Sequence, residues 1–465
     1  MTDAAIEPPA CVSKFSYEGC QIMLSMPTVQ AQMHKPRAWQ MLERTPSVAQ
    51  PISSEKQARS PATRSGCENA PNLPWATKVE LVEIYLENVH DRPHSIFHPA
   101  TLRSNLRSGA VGGALLCAIC AIGSKFSTNL DHRSLESRLT SEAKRLLQAD
   151  LENVCLENIQ ASILVATLSS GNYPASSEAL FVRIATSMAE ILKLDSSFSS
   201  SGTITQLETA RRVWWSLYTA DRWCFSGLGL PHRIEDLDGS CELPMDEATF
   251  RSLSPEQKTL DVPWKPGIWA HLVTLVRLSN PIQDLNRRVA RGNADTAELD
   301  QDFAGLEQKL ECWREMLPAD MQFTIQNLHG YQHNGLGGPF ISLHLAYHHS
   351  STLLYFRFLE DKQNPQSNYC SYVARCKHHA SSFSSLLQLS RQLEGCVSNC
   401  PTIGHMTTVS SSVLLHTMLF GDLEELPRAR RELSANFEAL VELQQCWPAT
   451  SALVTTTLTI IWSDN

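Results

Sequence analysis

From Lys78 onward the apolar residues of this chain recur at helical spacing. Val79, Val82, Tyr85, Leu86 and Val89 form one such run, which breaks at Asp91-Arg92-Pro93. Later runs repeat the theme: Leu180, Ile184, Ala185, Met188, Ile191 and Leu192, then Leu272, Val276, Ile282, Leu285 and Val289. Two more follow, one through Tyr372, Cys376, Ala380, Phe383, Leu387 and Ser390, the other through Leu433, Phe437, Leu440 and Trp447. Alternation of the kind a half-buried strand shows is scarce, so the pattern predicts an all-α, multi-helix domain over residues 78–462.

Within that domain Leu299, Phe303, Leu306, Leu310, Trp313 and Leu317 step in alternating fours and threes, the seam of a coiled coil. Pro318 stops it after about two and a half heptads, short of the run that argues for supercoiling. The seam therefore reads as internal helix packing, and also stands as one candidate surface for pairing with another chain.

The first residues behave differently. Residues 1–77 are rich in Pro, Ser, Gln and Ala without a sustained period, as in Ala49-Gln-Pro-Ile-Ser-Ser-Glu-Lys-Gln-Ala-Arg-Ser-Pro, and are expected to be disordered. The opening Met1-Thr-Asp-Ala-Ala-Ile-Glu-Pro-Pro has none of the basic start and apolar run of a secretory signal. The longest apolar stretches, Ala110 to Ile122 and Ala452 to Trp462, are shorter than the ~20 residues a bilayer crossing needs, so no membrane association is expected.

Composition adds an exclusion. Of 465 residues 43% are apolar and 19% charged, and 39 Lys+Arg against 48 Asp+Glu give a net charge of -9. Such a chain has no overall attraction for phosphate, and direct DNA contact, if made, is local or supplied by a partner. The fourteen cysteines are read as reduced thiols. Cys117 and Cys120 have metal-like spacing, but sit in the apolar run Ala114-Leu-Leu-Cys-Ala-Ile-Cys-Ala-Ile and are assigned to packing. His344 and His348 are one helical turn apart with His349 beside them, yet no carboxylate stands between them in the H-E-x-x-H manner; they and His378-His379 are assigned to packing or hydrogen bonding. Neither a nucleophile elbow nor a phosphate loop occurs, and Gly335-Leu-Gly-Gly reads as a turn. No metal, cofactor or catalytic residue is called for, although an enzyme of unrecognised type with its site inside the bundle remains the alternative.

The most informative stretch runs from Ala210-Arg-Arg-Val-Trp-Trp through Asp221-Arg222 and Gly227-Leu-Gly-Leu-Pro to Leu243-Pro244. On a helix Arg211, Trp215, Tyr218 and Arg222 share one stripe, and Trp214, Leu217 and Asp221 a neighbouring one. An Asp aligned with Trp and Leu is expected to be at least partly buried, and a buried carboxylate needs a cationic or hydrogen-bonding partner. Gly227 and Gly229 are expected to end the helix, and Pro231 to prevent its resumption.

This stretch resembles the signature of the middle region of fungal zinc-cluster transcription factors: an Arg-Arg-x-x-Trp-Trp helix, an Asp-Arg pair, a glycine-proline turn and a Leu-Pro. Leu230 stands where that family usually has Arg. Tyr85 to Leu102, Leu115 to Gly123, Ser342 to Leu359 and Leu415 to Pro448 resemble further parts of the same domain, so the likeness covers most of residues 78–450. It implies a nuclear transcriptional regulator whose helical domain answers to a small effector or a partner. That partner is either a DNA-binding factor or a second copy, and the pathway one of metabolism or secondary metabolism. Arg211, Arg212, Trp214, Trp215, Asp221, Arg222, Gly229 and Pro231 are expected to hold the domain together as structural determinants. Such factors carry a six-cysteine, two-zinc cluster beside a basic stretch; residues 1–77 have only Cys11, Cys20 and Cys67. The DNA-contacting residues are thus unassigned, and either regulation proceeds without direct contact or the DNA-binding part lies outside this sequence.

Overall fold

The computed structural model describes residues 73–451, apart from 93, 171–174, 196–201, 229, 236–240, 293–294 and 360–368. Most of the 1–77 expectation and the Ala452–Trp462 run therefore lie outside the described residues. Among the described residues there are sixteen α-helices, one 3-10 turn and two isolated bridges, and no strand. The all-α expectation holds.

The first group comprises α1 (Trp75–Asn88), α2 (Pro99–Ser108), α3 (Gly113–Phe126), α4 (Leu130–Ser134), α5 (Glu136–Ala149), α6 (Leu156–Ser170) and α7 (Ala175–Ile191). Its centre is α3, packed on α1, α5 and α6, while α6 also packs on α7. Ala114 to Ile122 are apolar on every side, and such a helix is stable only when surrounded; Leu115 to Ile122 are all buried. Cys117 and Cys120 contribute to this core, and burial pushes both thiols up to about 12.

The second group follows α8 (Ile204–Leu228) and α9 (Glu247–Ser252): α10 (Ile268–Arg291), α11 (Thr296–Met316), α12 (Ile325–His333), α13 (Gly337–Tyr355), α14 (Tyr369–Gln392), α15 (Thr402–Phe420) and α16 (Leu426–Cys446). Here α13 is the central helix, packed on α10, α14 and α15. Between the groups lies α8, touching α6 and α7 on one side and α10 on the other. One continuous apolar cluster runs from Leu73 to Trp447. Trp447 closes it: fully buried, its indole donates to the Asn399 carbonyl at 2.7 Å and its ring meets Phe126 edge-on.

Two readings of the pattern need correction. On α7, Leu180 and Ile191 are 56% and 67% exposed, whereas Phe181, Val182, Ala185, Met188 and Ala189 are buried. The inward face is turned about one residue from the stripe drawn from sequence, because α6 and α8 clasp the helix from two sides. The seam along α11 is not free for another chain either. Phe303, Leu306, Leu310, Trp313 and Leu317 are buried against α10 and α13; Trp313 stacks on Tyr347 and donates to the Thr274 hydroxyl at 2.9 Å. A stripe spent on neighbours in its own chain cannot also pair two chains.

The histidines of α13 lie inside the bundle. His344 is 5% exposed with Nε2 3.1 Å from the Met321 carbonyl, and His348 and His379 meet Nδ1 to Nδ1 at 3.0 Å. Burial lowers His344 to about 4 and His349 to about 3. Below pH 6.5 the unfolded chain takes up a proton at His344 that the folded chain refuses, so this depressed group removes stability as pH falls. The loss is about 1.4 kcal/mol per pH unit, and it ceases near pH 4, where the folded form also protonates. Replacing His344 with Gln is expected to flatten the stability–pH curve by that slope between pH 6.5 and 4; denaturant unfolding across this window checks it, and an unchanged slope contradicts it.

Candidate functional site

The paired-arginine helix, α8, builds its site from the inside. Glu208 and Arg212 are both fully buried. They lie four residues apart, so one helical turn brings the carboxylate to the guanidinium at 2.9 Å. Arg212 then reaches off the helix with its other nitrogens, donating to the Ser95 hydroxyl at 2.5 Å and the Met245 carbonyl at 2.6 Å. Its plane lies over Phe250, 4.3 Å from the ring centre. Glu208 accepts from the Met245 amide at 2.9 Å and from Arg211, which continues outward to Glu242. Three separate stretches are thereby tied to one turn of α8: the 90–95 loop, the 241–245 segment and α9.

Trp215 extends the junction. Its indole donates to the Glu242 carbonyl at 2.8 Å, Tyr218 meets it edge-on, and Arg277 of α10 lies over its ring at 5.2 Å. Trp214 is buried, and its Nε1 has no hydrogen-bond partner among the described residues. Two turns later the helix carries a second charged centre. Asp221 is fully buried and takes hydrogen bonds from Arg222 at 2.9 Å, from Arg183 of α7 at 3.3 Å and from the backbone amide of Arg233 at 3.2 Å. Arg222 also donates to the Ile234 carbonyl at 2.6 Å, and Arg183 to that of Pro231. This clamp lays the 231–234 turn against α8.

Each residue singled out from sequence can now be placed. Arg212, Trp214, Trp215, Asp221 and Arg222 are buried on α8, Arg211 is partly exposed at its edge, and Pro231 is exposed in the clamped turn. Gly229 lies outside the described residues, and Leu230, the departure from the family pattern, is 42% exposed. The helix runs to Leu228, so Gly227 falls within its last turn rather than after it. Sequence reasoning missed Glu208, Ser95 and Glu247. Glu208 was marked only by its spacing from Arg212, a pairing that on a surface helix is commonplace.

Glu247, at the first turn of α9, caps α10 by accepting the amides of Ile268 and Trp269, each at 2.9 Å. Gly267 makes this possible, since a methyl there would collide with that carboxylate and with the Asp246 backbone. Burial raises the Glu247 carboxyl, and Arg212 and the Trp269 amide pull the other way.

Beside this network lies a second group of charges. Asp91, with φ of 66°, pairs with Arg251 at 2.7 Å and with His90 at 3.3 Å. Burial alone pushes its carboxyl up, but His90, Arg251 and Arg212 together hold it well below the usual range. Arg92 is 8% exposed; among the described residues its guanidinium donates to the carbonyls of Glu87 and Gly395, at 3.3 and 3.2 Å, and the neighbouring Asp91 carboxylate offsets part of the cost of its burial. A surface groove of ≈ 410 Å³ opens over His90, Arg92, Pro99, Ala100, Arg251 and Pro339. Behind it an inner cavity of ≈ 30 Å³ is bounded by Arg92 and Pro339 again, with Glu247, Trp269 and Met406. Among the described residues no three of His, Cys, Asp or Glu are grouped as metal ligands, and no single helix is long and apolar enough to cross a membrane.

Comparison with known proteins bears on this geometry. Residues 82–315, which hold α8 and both charged centres, match the fungal-specific transcription factor domain. The chain is similar to an uncharacterized transcriptional regulatory protein of Schizosaccharomyces pombe, 23% identical over 336 residues, 65% of this chain and 34% of that protein. A second such protein of the same organism is 24% identical over 356 residues, 65% of this chain and 50% of the relative. A Zn(2)-C6 fungal-type transcription factor of Fusarium oxysporum is 20% identical over 412 residues, covering 79% and 43%. The chain thus spans a third to a half of the length of these relatives.

The clamp at Asp221 can be tested by itself. Asp221→Ala leaves Arg222 buried without its carboxylate and is expected to cost ~3 kcal/mol or more, read as a fall in the urea unfolding midpoint. A wild-type unfolding curve contradicts the role given to the clamp.

Proposed function

Because the chain belongs to the fungal-specific transcription factor domain family, we propose that it regulates transcription in the nucleus through its helical domain, with a small effector or a protein partner setting its activity. The observation that carries this reading is the junction on α8. A single helix, inside the matched region, fixes the 90–95 loop, the 241–247 segment and the 231–234 turn through buried charges. Charges held this way have few intermediate arrangements, which favours discrete states over gradual deformation.

In this account the domain has two arrangements. An effector that binds one of them more tightly shifts the balance by that difference in affinity and no more. The shift changes which surface is offered to a DNA-binding factor or to a second copy of the chain. With a net charge of -9 the sequence supplies no general attraction for DNA, so contact with its genes is local, made by a part outside this sequence, or supplied by the protein partner. The seam of α11 is excluded from that contact, being buried in its own domain.

Deletion of the gene followed by whole-transcript measurement tests the proposal. A coherent set of genes is expected to rise or fall together. Steady transcripts with accumulation of one metabolite contradict it and turn attention to catalysis in the bundle.

A further inference from the structure

The helix α16 is held by two different kinds of contact along its length. Its second half joins the main core, where Ala439, Leu443 and then Trp447 are buried, and Arg391 of α14 pairs with Glu442 at 2.5 Å. The first half is attached otherwise. Ala429 and Leu433 meet Leu414, Leu415 and Met418 of α15 in a small apolar cluster separate from that core, and much of the remaining contact is polar. Asn436 is fully buried and donates to the hydroxyls of Ser410 and Ser411 at 3.3 and 3.1 Å. Its Oδ1 has no hydrogen-bond partner among the described residues. Glu432, also buried, accepts through Oε1 from Ser381 of α14 at 2.6 Å and from Arg428 at 2.8 Å, and its shielded Oε2 likewise has no hydrogen-bond partner among them.

Docking of residues 426–436 therefore rests on little apolar burial. A buried acceptor without a donor gives up its hydration for no bond in return, so Asn436 and Glu432 both favour a state in which water reaches them. The face they cover suits that state as well. Ser410 donates to the Ala380 carbonyl and Ser411 to that of Thr407, each at 2.8 Å, and neither bond needs α16. At the entry to the helix no side chain caps the free amides, and the 422–424 loop before it is exposed. There Lys377 holds Glu425 at 2.6 Å in a pair open to solvent, which contributes little. Segments with few buried apolar contacts open locally, below the cost of global unfolding.

We propose that residues 421–436 form a strap: the loop and the first half of α16 lift from α14 and α15 as a unit, while the second half stays in the core and Trp447 tethers it. Lifting uncovers Leu414, Leu415 and Met418 beside the row of serines, a surface that the closed form hides. The opening stands or falls by itself. Only its use as the element with two arrangements rests on the regulatory reading.

Amide hydrogen exchange of the full chain, compared between residues 428–436 and 441–446 of the same helix, tests the strap. The first stretch is expected to be protected about tenfold or more weakly than the second. Asn436→Leu replaces the unpaired acceptor with an apolar side chain and leaves Ser410 and Ser411 their own carbonyls. It is expected to slow exchange in 428–436 about fivefold or more, with 441–446 unchanged. Lys377→Met, which removes the pair at the entry, is expected to speed the same stretch by about twofold to fivefold. Equal protection of the two halves in the wild type overturns the proposal, and so does exchange in 428–436 that neither variant alters. Slowed exchange in Asn436→Leu with transcripts like wild type would leave the strap standing and remove its regulatory use.

Discussion

Arg212 and Glu208 are both fully withdrawn from water, and the arrangement of the domain depends on their meeting. Each would be prohibitively placed alone, since the penalty for an unpaired buried charge exceeds what a hydrogen bond returns. Together they leave the two terminal guanidinium nitrogens and further lone pairs on both carboxylate oxygens to satisfy; Ser95 and Met245 come to them from distant parts of the chain, and Arg211 from the same turn of α8. An apolar contact tolerates sliding by an ångström or more, whereas this set of directed bonds tolerates very little. It therefore sets the register of α8 against everything packed on it.

The consequence is a division of labour between core and junction. Apolar burial around α3 and around α13 supplies most of the driving force for two helix groups, but apolar surfaces alone do not fix how loops lie between them. The charged junctions on α8 do so at both ends, through Arg212 near the start and Asp221 near the end. The 90–95 loop hangs from the first of these and walls the groove at Arg92.

Much of this was legible in the sequence because helical periodicity reports directly which face is buried. The runs through Leu272 to Leu285 and Cys376 to Ser390 are buried as read. The run on α7 was misread by about one residue, since a helix gripped from two sides buries a broad arc and its edges are ambiguous from sequence. The paired arginines stood out by composition, but which of the two is interior did not. Sequence put Arg211 on the stripe with Trp215; the structure buries Arg212, because its turn of the helix faces Ser95 and Met245. Glu208, Glu247 and Arg92 escaped notice for a shared reason. Each draws its significance from partners far away in the chain, and spacing along one helix carries no record of them.

The most direct measurement is a double-mutant cycle on the unfolding free energy of Glu208→Leu, Arg212→Met and the pair together. If the junction works as described, each single change strands a buried charge and costs about 3–5 kcal/mol, while the double change costs clearly less than their sum. Losses that simply add would show that the two charges do not depend on each other, and would contradict the central place given to their pairing.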